Sequence, residues 1–308
     1  MKRNESAGLA FLTAPFETMT LPIAPLPIVL LLILLVAALP VHAQDTPQPG
    51  SVFRDCDACP EMVVIPAGKY GFGSPPNEFG SPYNEGYVLD VEFARPFALG
   101  KYEVTFGQWE ACVRDGGCQP VDDKNQGGEQ HPVINVSWHD AAAYADWLSA
   151  KTGKPYRLPS EQEWEYAAQA GTKRARFFGI PREQTCQHGN VYDMTANDVH
   201  DFGWAWLPCT DGYAGLAPVG RFKANAFGVH DMLGNVWEWV QDCLNPNWRF
   251  SRVVPDGSAF TDGDCEQRAY RGGSWLANQP YYLRTGERYK FSKARYDDLG
   301  FRVARSLD

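Results

Sequence analysis

The chain has 308 residues, eight cysteines and a formal net charge of −9 at pH 7. An acidic chain without a Lys/Arg cluster has no electrostatic footprint for nucleic acid and no attraction to an anionic membrane surface. Its 10 Trp, 14 Tyr and 17 Phe supply the apolar bulk for one large packed domain.

Lys2 and Arg3 precede an apolar run from Ile28 to Leu39. A comfortable membrane span needs about 20 residues, and Pro22, Pro25 and Pro27 break the uncharged stretch ahead of the run. Pro40-Val41-His42-Ala43-Gln44 follows, with small residues where a signal peptidase reads. Residues 1–43 therefore read as a secretory signal cleaved after Ala43, with Met19 as an alternative start and an uncleaved anchor as the alternative reading. The expected location is secreted or periplasmic, with no membrane span after cleavage.

Residues 44–59 read as a polar linker ending in a CxxC, and residues 60–308 as the folded domain. Met62 to Gly68 predicts a buried strand ended by a Pro/Gly turn, residues 71–86 a loop, and Tyr87 to Phe93 an extended segment with Leu89, Val91 and Phe93 on one face. Three helices are marked by their caps. Thr105 with Gln108 opens the first, which runs to about Val113 before Asp115-Gly116-Gly117. Ser137 opens the second, whose apolar stripe is Trp138, Ala141, Ala142, Ala145 and Leu148, and Gly153 ends it. Ser160 and Glu163 form a capping box for the third, closed by Gly171. Beyond Gly171 long periodic segments disappear, and short strands with long ordered loops are expected; loops of this length need support from disulfides, metals or function.

The cysteines are Cys56, Cys59, Cys112, Cys118, Cys186, Cys209, Cys243 and Cys265, all after the expected cleavage site. An even count in an exported chain reads as disulfides, and pairing of sequence neighbours is the preferred one of 105 possibilities: 56–59, 112–118, 186–209 and 243–265. A redox role for Cys56-Asp57-Ala58-Cys59 is the alternative, but no thioredoxin-like strand and helix surround it. Zinc is disfavoured because no second CxxC or His pair follows at ligand spacing. Of the histidines, His131, His139, His188, His200 and His230 show no ligand spacing either and read as surface or capping residues. No nucleophile elbow, P-loop or HExxH motif is present.

Seven segments occur in a telling order: Met62-Val-Val-Ile-Pro-Ala-Gly-Lys-Tyr70; Leu99-Gly-Lys-Tyr-Glu-Val-Thr105; Pro132-Val-Ile-Asn-Val-Ser-Trp138; Tyr156-Arg-Leu-Pro-Ser-Glu-Gln-Glu-Trp-Glu-Tyr-Ala-Ala168; Asn225-Ala-Phe-Gly-Val-His-Asp-Met-Leu-Gly-Asn-Val-Trp-Glu-Trp239; Arg271-Gly-Gly-Ser-Trp275; and Leu299-Gly-Phe-Arg-Val-Ala304. From about residue 60 to the C-terminus this resembles the formylglycine-generating-enzyme (sulfatase-modifying-factor) family. The resemblance implies an α+β, irregular single domain with little regular secondary structure, distantly like C-type lectins. It also implies structural calcium, an ion that takes carboxylate and carbonyl oxygens. One site matches Asp231, the carbonyls of Gly234 and Val236, and Glu238; a second matches Asn190, the carbonyl of Val191, Asp211 and the carbonyl of Tyr213. A loop from Tyr192 to Thr210 is inserted within the second. Alternatively, these acids and amides only cap turns.

Active members of the family carry two cysteines after the Gly-Gly-Ser segment, which bind copper and oxidise a substrate cysteine with oxygen. Cuprous ion needs soft thiolates. Aligned from Ser274, those positions are Ala277 and Tyr282, and no cysteine follows Cys265. Copper is therefore not expected. Trp237, Ser274, Ala277, Tyr281, Tyr282 and Arg284, with Glu287 and Arg288 nearby, are the candidate pocket, and Arg beside aromatics suits a carboxylate or peptide ligand; alternatively, these residues pack and pair their charges under the loops. Three functions follow. The first is an exported binding or scaffold domain for a peptide or envelope component. The second is a periplasmic oxidative or tailoring enzyme with non-cysteine chemistry, as in relatives that tailor siderophore peptides. The third, a true sulfatase activator, conflicts with Ala277 and Tyr282.

Overall fold

The continuous apolar run near residue 62 forms the middle of a sheet whose two faces are both covered. A computed structural model describes residues 47–76, 78, 88–179, 182–244, 254–291 and 295–307; the expected signal, residues 1–43, and Tyr87 lie outside these. Strand β1 (Val52–Phe53) pairs antiparallel with β2 (Met62–Ile65). Met62 and Val64 point into one core with Trp109, Tyr144 and Phe301, while Val63 and Ile65 point into another with Trp164, Ala167 and Val240. Alternation across a sheet covered on both sides explains why the run has no polar member.

The expected linker is built into the domain. Cys59 is fully buried in its disulfide with Cys56, and Asp55 accepts hydrogen bonds from the Tyr156 hydroxyl and Arg305. Gly68 opens the next strand, β3 (Gly68–Phe72), which pairs with β4 (Leu89–Phe93), so the first residues of the expected 71–86 loop are strand. Then β5 (Phe97–Gly100) pairs with β2.

The three helices start at the expected caps: α1 (Phe106–Arg114), α2 (Trp138–Thr152) and, after the short strand β6 (Tyr156–Arg157), α3 (Glu161–Gln169). Each begins with a reciprocal capping box, which satisfies two of the four free N–H groups at a helix start. The α3 helix ends one residue sooner than expected, with Ala170 rather than Gly171 as its left-handed cap. All nine α3 residues are buried, Glu161, Glu163 and Glu165 included, because partners on other strands meet them.

Beyond Gly171 the expected short elements appear, together with an unexpected helix, α4 (Met194–His200), inside the inserted loop. The remaining strands are β7 (Trp237–Leu244), β8 (Asp264–Arg271), β9 (Arg288–Phe291), β10 (Leu299–Phe301) and β11 (Ala304–Ser306). Among the described residues one sheet has the order β1-β2-β5-β11-β6, a second β10-β7-β8-β9, and β3 pairs with β4 alone. In the second sheet β10 runs parallel to β7 and the other pairs are antiparallel. This is an α+β domain. Its disulfides join Cys56–Cys59, Cys112–Cys118, Cys186–Cys209 and Cys243–Cys265, each cysteine with its neighbour in sequence.

Candidate functional site: an aromatic cleft behind a buried ionic cluster

The Trp237-Glu238-Trp239 segment of β7 divides the site into two sides. Successive strand side chains face opposite ways, so Trp237 and Trp239 share one face with Tyr270 of β8, opposite Trp239, and Tyr289 of β9, opposite Tyr270. The Trp237 ring lies 5.3 Å from Tyr270 and 5.0 Å from Tyr289, centre to centre. Glu238 and its partner Arg271 face the other way, into buried ion pairs.

On the aromatic side lies a cleft of 390 Å³. Trp237, Tyr270, Tyr282, Tyr289 and Tyr296 line it with Ser274, Ala277 and Asp298. Its geometry begins at Gly272 and Gly273, with φ of 104° and 76°. A Cβ on Gly273 would come within 2.9 Å of the Tyr282 carbonyl, so only glycine lets the chain turn here and lay residues 274–283 along the cleft. The Ser274 hydroxyl donates to Asp298 at 2.7 Å, and the Asp298 carbonyl accepts from the Trp237 N–H at 2.8 Å. The parallel pairing of β10 with β7 places Leu299 beside Trp237 and so delivers Asp298 to the cleft. Burial pushes the Asp298 carboxyl up to about 6, against the Ser274 hydrogen bond.

Four of the six candidate pocket residues, Trp237, Ser274, Ala277 and Tyr282, come together in this cleft. Tyr281 faces solvent beside Tyr282, their rings 4.2 Å apart. Arg284 lies away from it. Its guanidinium is 1 % exposed and bonds Glu78 at 2.9 Å, Ser74 at 3.2 Å and Glu287. Arg288 pairs with Glu161 at 2.5 Å. The guanidinium expected to receive an anionic ligand is thus already neutralised, and the charged group lining the cleft among the described residues is Asp298. Asp298 carries no motif of its own in sequence; its position just before Leu299-Gly300-Phe301 was the available signal. Trp204 also lines the cleft. It comes from the inserted loop, tied down by Cys186–Cys209, and sequence alone assigned it no place.

On the other side, Glu238 accepts from Arg302 through both oxygens, at 2.6 and 2.7 Å, and from the Trp164 indole at 2.8 Å. Asp231 accepts from the Gly220 N–H at 2.6 Å, while its Oδ1 has no donor. Glu103, which sequence reading missed, is 1 % exposed; its Oε1 accepts from Asn235 and its Oε2 has no donor. Burial raises the Glu103 carboxyl well above the usual range, with the Asp231 charge adding to that shift; burial raises Asp231 to about 6 as well, against the Gly220 hydrogen bond and the Arg302 charge. Three buried carboxylates share one guanidinium here. Two donorless carboxylate oxygens and an excess of negative charge fit a divalent, oxygen-seeking cation.

At the second set, the Asn190 Oδ1 is buried without a donor. Both Asp211 oxygens accept backbone N–H groups, from Val191 at 2.9 Å and Tyr213 at 2.8 Å, as a turn cap would. Burial pushes Asp211 up to about 7. Asp193 joins it, with carboxylate oxygens of the two and the Cys186 sulfur within 4.8 Å of one another. Cys186 is disulfide-bonded and offers no thiolate, so an ion there would rest on Asp193, Asp211 and the Asn190 amide oxygen. Asp193 lies inside the insertion and doubles as the N-cap of α4.

The sulfatase-modifying factor enzyme 1-like domain family matches residues 48–307. The chain belongs to this sulfatase-modifying-factor family. A formylglycine-generating enzyme from Thermomonospora curvata is 39 % identical over 161 residues, covering 50 % of this chain and 48 % of the relative. An inactive C-alpha-formylglycine-generating enzyme 2 from Mus musculus is 32 % identical over 183 residues, covering 57 % and 49 %. The chain thus spans about half the length of these curated relatives. PvdO from Pseudomonas aeruginosa has a solved structure that superposes with a TM-score of 0.74 at 38 % identity, covering 85 % of this chain and all of that one. The sulfatase-modifying-factor family therefore includes a member named inactive, and family membership does not by itself assign a reaction to this cleft.

Proposed function

We propose that this chain is an exported sulfatase-modifying-factor domain that binds a ligand in its aromatic cleft and does not generate formylglycine with copper. The observation that carries the reading is the pair of cleft-lining residues Ala277 and Tyr282 at the positions of the family's thiols. All eight cysteines are in disulfides, so no thiolate remains for cuprous ion. Four disulfides suit an oxidising compartment, and export by residues 1–43 to the periplasm or exterior follows from the signal-like sequence there. No described helix is long and apolar enough to cross a membrane.

Calcium would supply charge balance and rigidity. At the first site Asp231 would hold it with the carbonyls of Gly234 and Val236, Glu103 and Glu238 adding negative charge; at the second, Asn190, Asp193 and Asp211 would, with the carbonyls of Val191 and Tyr213. The chain's own residues do the rest: the Gly272-Gly273 turn positions Ser274, Ser274 orients Asp298, and the sheet aromatics exclude water from the ligand. The test is to offer the purified protein a Cys-x-Pro-x-Arg peptide with copper and oxygen. No formylglycine should form; its appearance by mass spectrometry would overturn the reading.

A further inference from the structure

The cleft has an unusual lining for a site in a family of peptide-modifying enzymes. Among the described residues six aromatic rings, those of Trp204, Trp237, Tyr270, Tyr282, Tyr289 and Tyr296, surround a single carboxylate, Asp298. No Lys or Arg lines it among the described residues. The nearby guanidiniums are committed elsewhere: Arg284 to Glu78 and Glu287, Arg288 to Glu161, and Arg295 to Asp140 at 2.7 Å.

We propose that the cleft selects an organic monocation, an ammonium, amidinium or guanidinium group carried on a planar or apolar body. The inference rests on the cleft being a ligand site and adds the class of ligand. Aromatic faces carry negative charge density and attract a cation within about 6 Å of the ring centre. The Trp237, Tyr270 and Tyr289 rings cluster 5.0 to 6.0 Å apart on one sheet face, and Tyr282 stands 6.1 Å from Tyr289. Asp298 supplies the counter-charge, Ser274 holds it by a hydrogen bond, and Asn278 adds a polar side chain to the lining. Among the described residues an anion would meet a carboxylate and aromatic rings with no donor of opposite charge. A neutral ligand would desolvate Asp298 without compensation.

Trp204 forms the wall that a flat ligand body would meet. It is 46 % exposed, backed by Phe202 at 4.9 Å and Tyr192 at 5.6 Å. A large ring held over a cleft by two others, on a loop stapled by a disulfide, is a preformed stacking surface. The net charge of −9 favours approach of a cation as well.

Benzamidine, benzamide and benzoate share one shape and differ in charge, and each can be titrated into the intact disulfide-bonded protein by tryptophan fluorescence or calorimetry. At pH about 7.5 benzamidine is expected to bind about tenfold tighter than benzamide, and benzoate weakest. Asp298→Asn should bring the benzamidine-to-benzamide ratio close to one, while Ser274→Ala, which keeps the carboxylate, should preserve a preference. Trp204→Ala should weaken benzamidine and benzamide together. The preference should also fade as pH falls through about 6, where Asp298 gains its proton. Asp297 adds like charge beside it, and the phenols of Tyr270, Tyr282 and Tyr289 stay neutral because burial raises them. Binding of the three without a cation preference, or a ratio unchanged in Asp298→Asn, would overturn the charge assignment and leave the ligand site standing. Saturable binding of none at millimolar concentration would overturn both.

Discussion

Arg302 is the residue on which the buried ionic side of the site depends. It is fully buried, donates to both oxygens of Glu238, and donates to the carbonyls of Gly100 and His230 at 2.9 and 3.0 Å. Removing one member of a buried ion pair leaves the other uncompensated, which costs about 3–5 kcal/mol. Arg302→Ala would leave Glu238, Asp231 and Glu103 together without a cation from the chain. Its expected effect is a loss of stability of that size in denaturant unfolding, and a loss below 1 kcal/mol would mean that the cluster is not ionised. The pair was half legible in sequence: Glu238 and Arg302 each sit inside a recognised segment, but nothing in either segment says that they meet 64 residues apart. Glu103 shows the same limit. Its segment, Leu99 to Thr105, offers in sequence a family match and a helix cap, whereas burial leaves one oxygen of Glu103 without a donor.

At the scale of elements, local rules performed well where local energies decide. The caps Thr105, Ser137 and Ser160 placed the three helix starts because a capping box is a contact across three residues. The inserted segment behaved otherwise. Its helix, α4, spans Met194–His200 and is capped by Asp193, yet it lacks an apolar stripe, burying only Ala196. Cys186–Cys209, 23 residues apart, closes the loop that holds this helix and brings Trp204 to the cleft. A crosslink over such a loop stabilises by about 3 kcal/mol. The double change Cys186→Ser with Cys209→Ser should lower stability by about that amount, expose residues 192–210 to the earliest proteolytic cuts, and weaken ligand binding as Trp204→Ala does. Unchanged proteolysis and binding would show that packing of Tyr192 and Phe202 suffices to hold the insertion.

At the scale of the whole molecule, the two groups of orphaned oxygens point to one expectation. Calcium should raise the melting temperature by several degrees, chelator should lower it, and magnesium should not substitute, since it demands a tighter octahedral shell. The effect should depend on pH in a stated sense. Burial holds Asp211 near about 7, so protons compete with the metal there, and calcium should stabilise more at pH 8 than at pH about 5.5. Failure of calcium to shift the melting curve at either pH would reduce both clusters to turn caps and ion pairs. The family and the α+β class were readable before any coordinates, because seven ordered segments spread over the chain constrain the fold jointly.

The sequence by itself determined the family, the helix starts and the absence of a thiol pair at Ala277 and Tyr282; it favoured pairing of neighbouring cysteines, which the folded chain then fixed. These are properties of neighbours along the chain or of residue identity alone. Only the tertiary structure decided the chemistry of the cleft. Arg284 reads in sequence either as a ligand-binding guanidinium or as one paired under the loops, and Glu78, 206 residues away, decides for the second. Asp298 belongs to no motif in sequence, and the parallel pairing of β10 with β7 makes it the charge of the cleft among the described residues. The sign of a binding site is set by which charges remain unpaired after long-range contacts form, and that sum exists only in the folded chain.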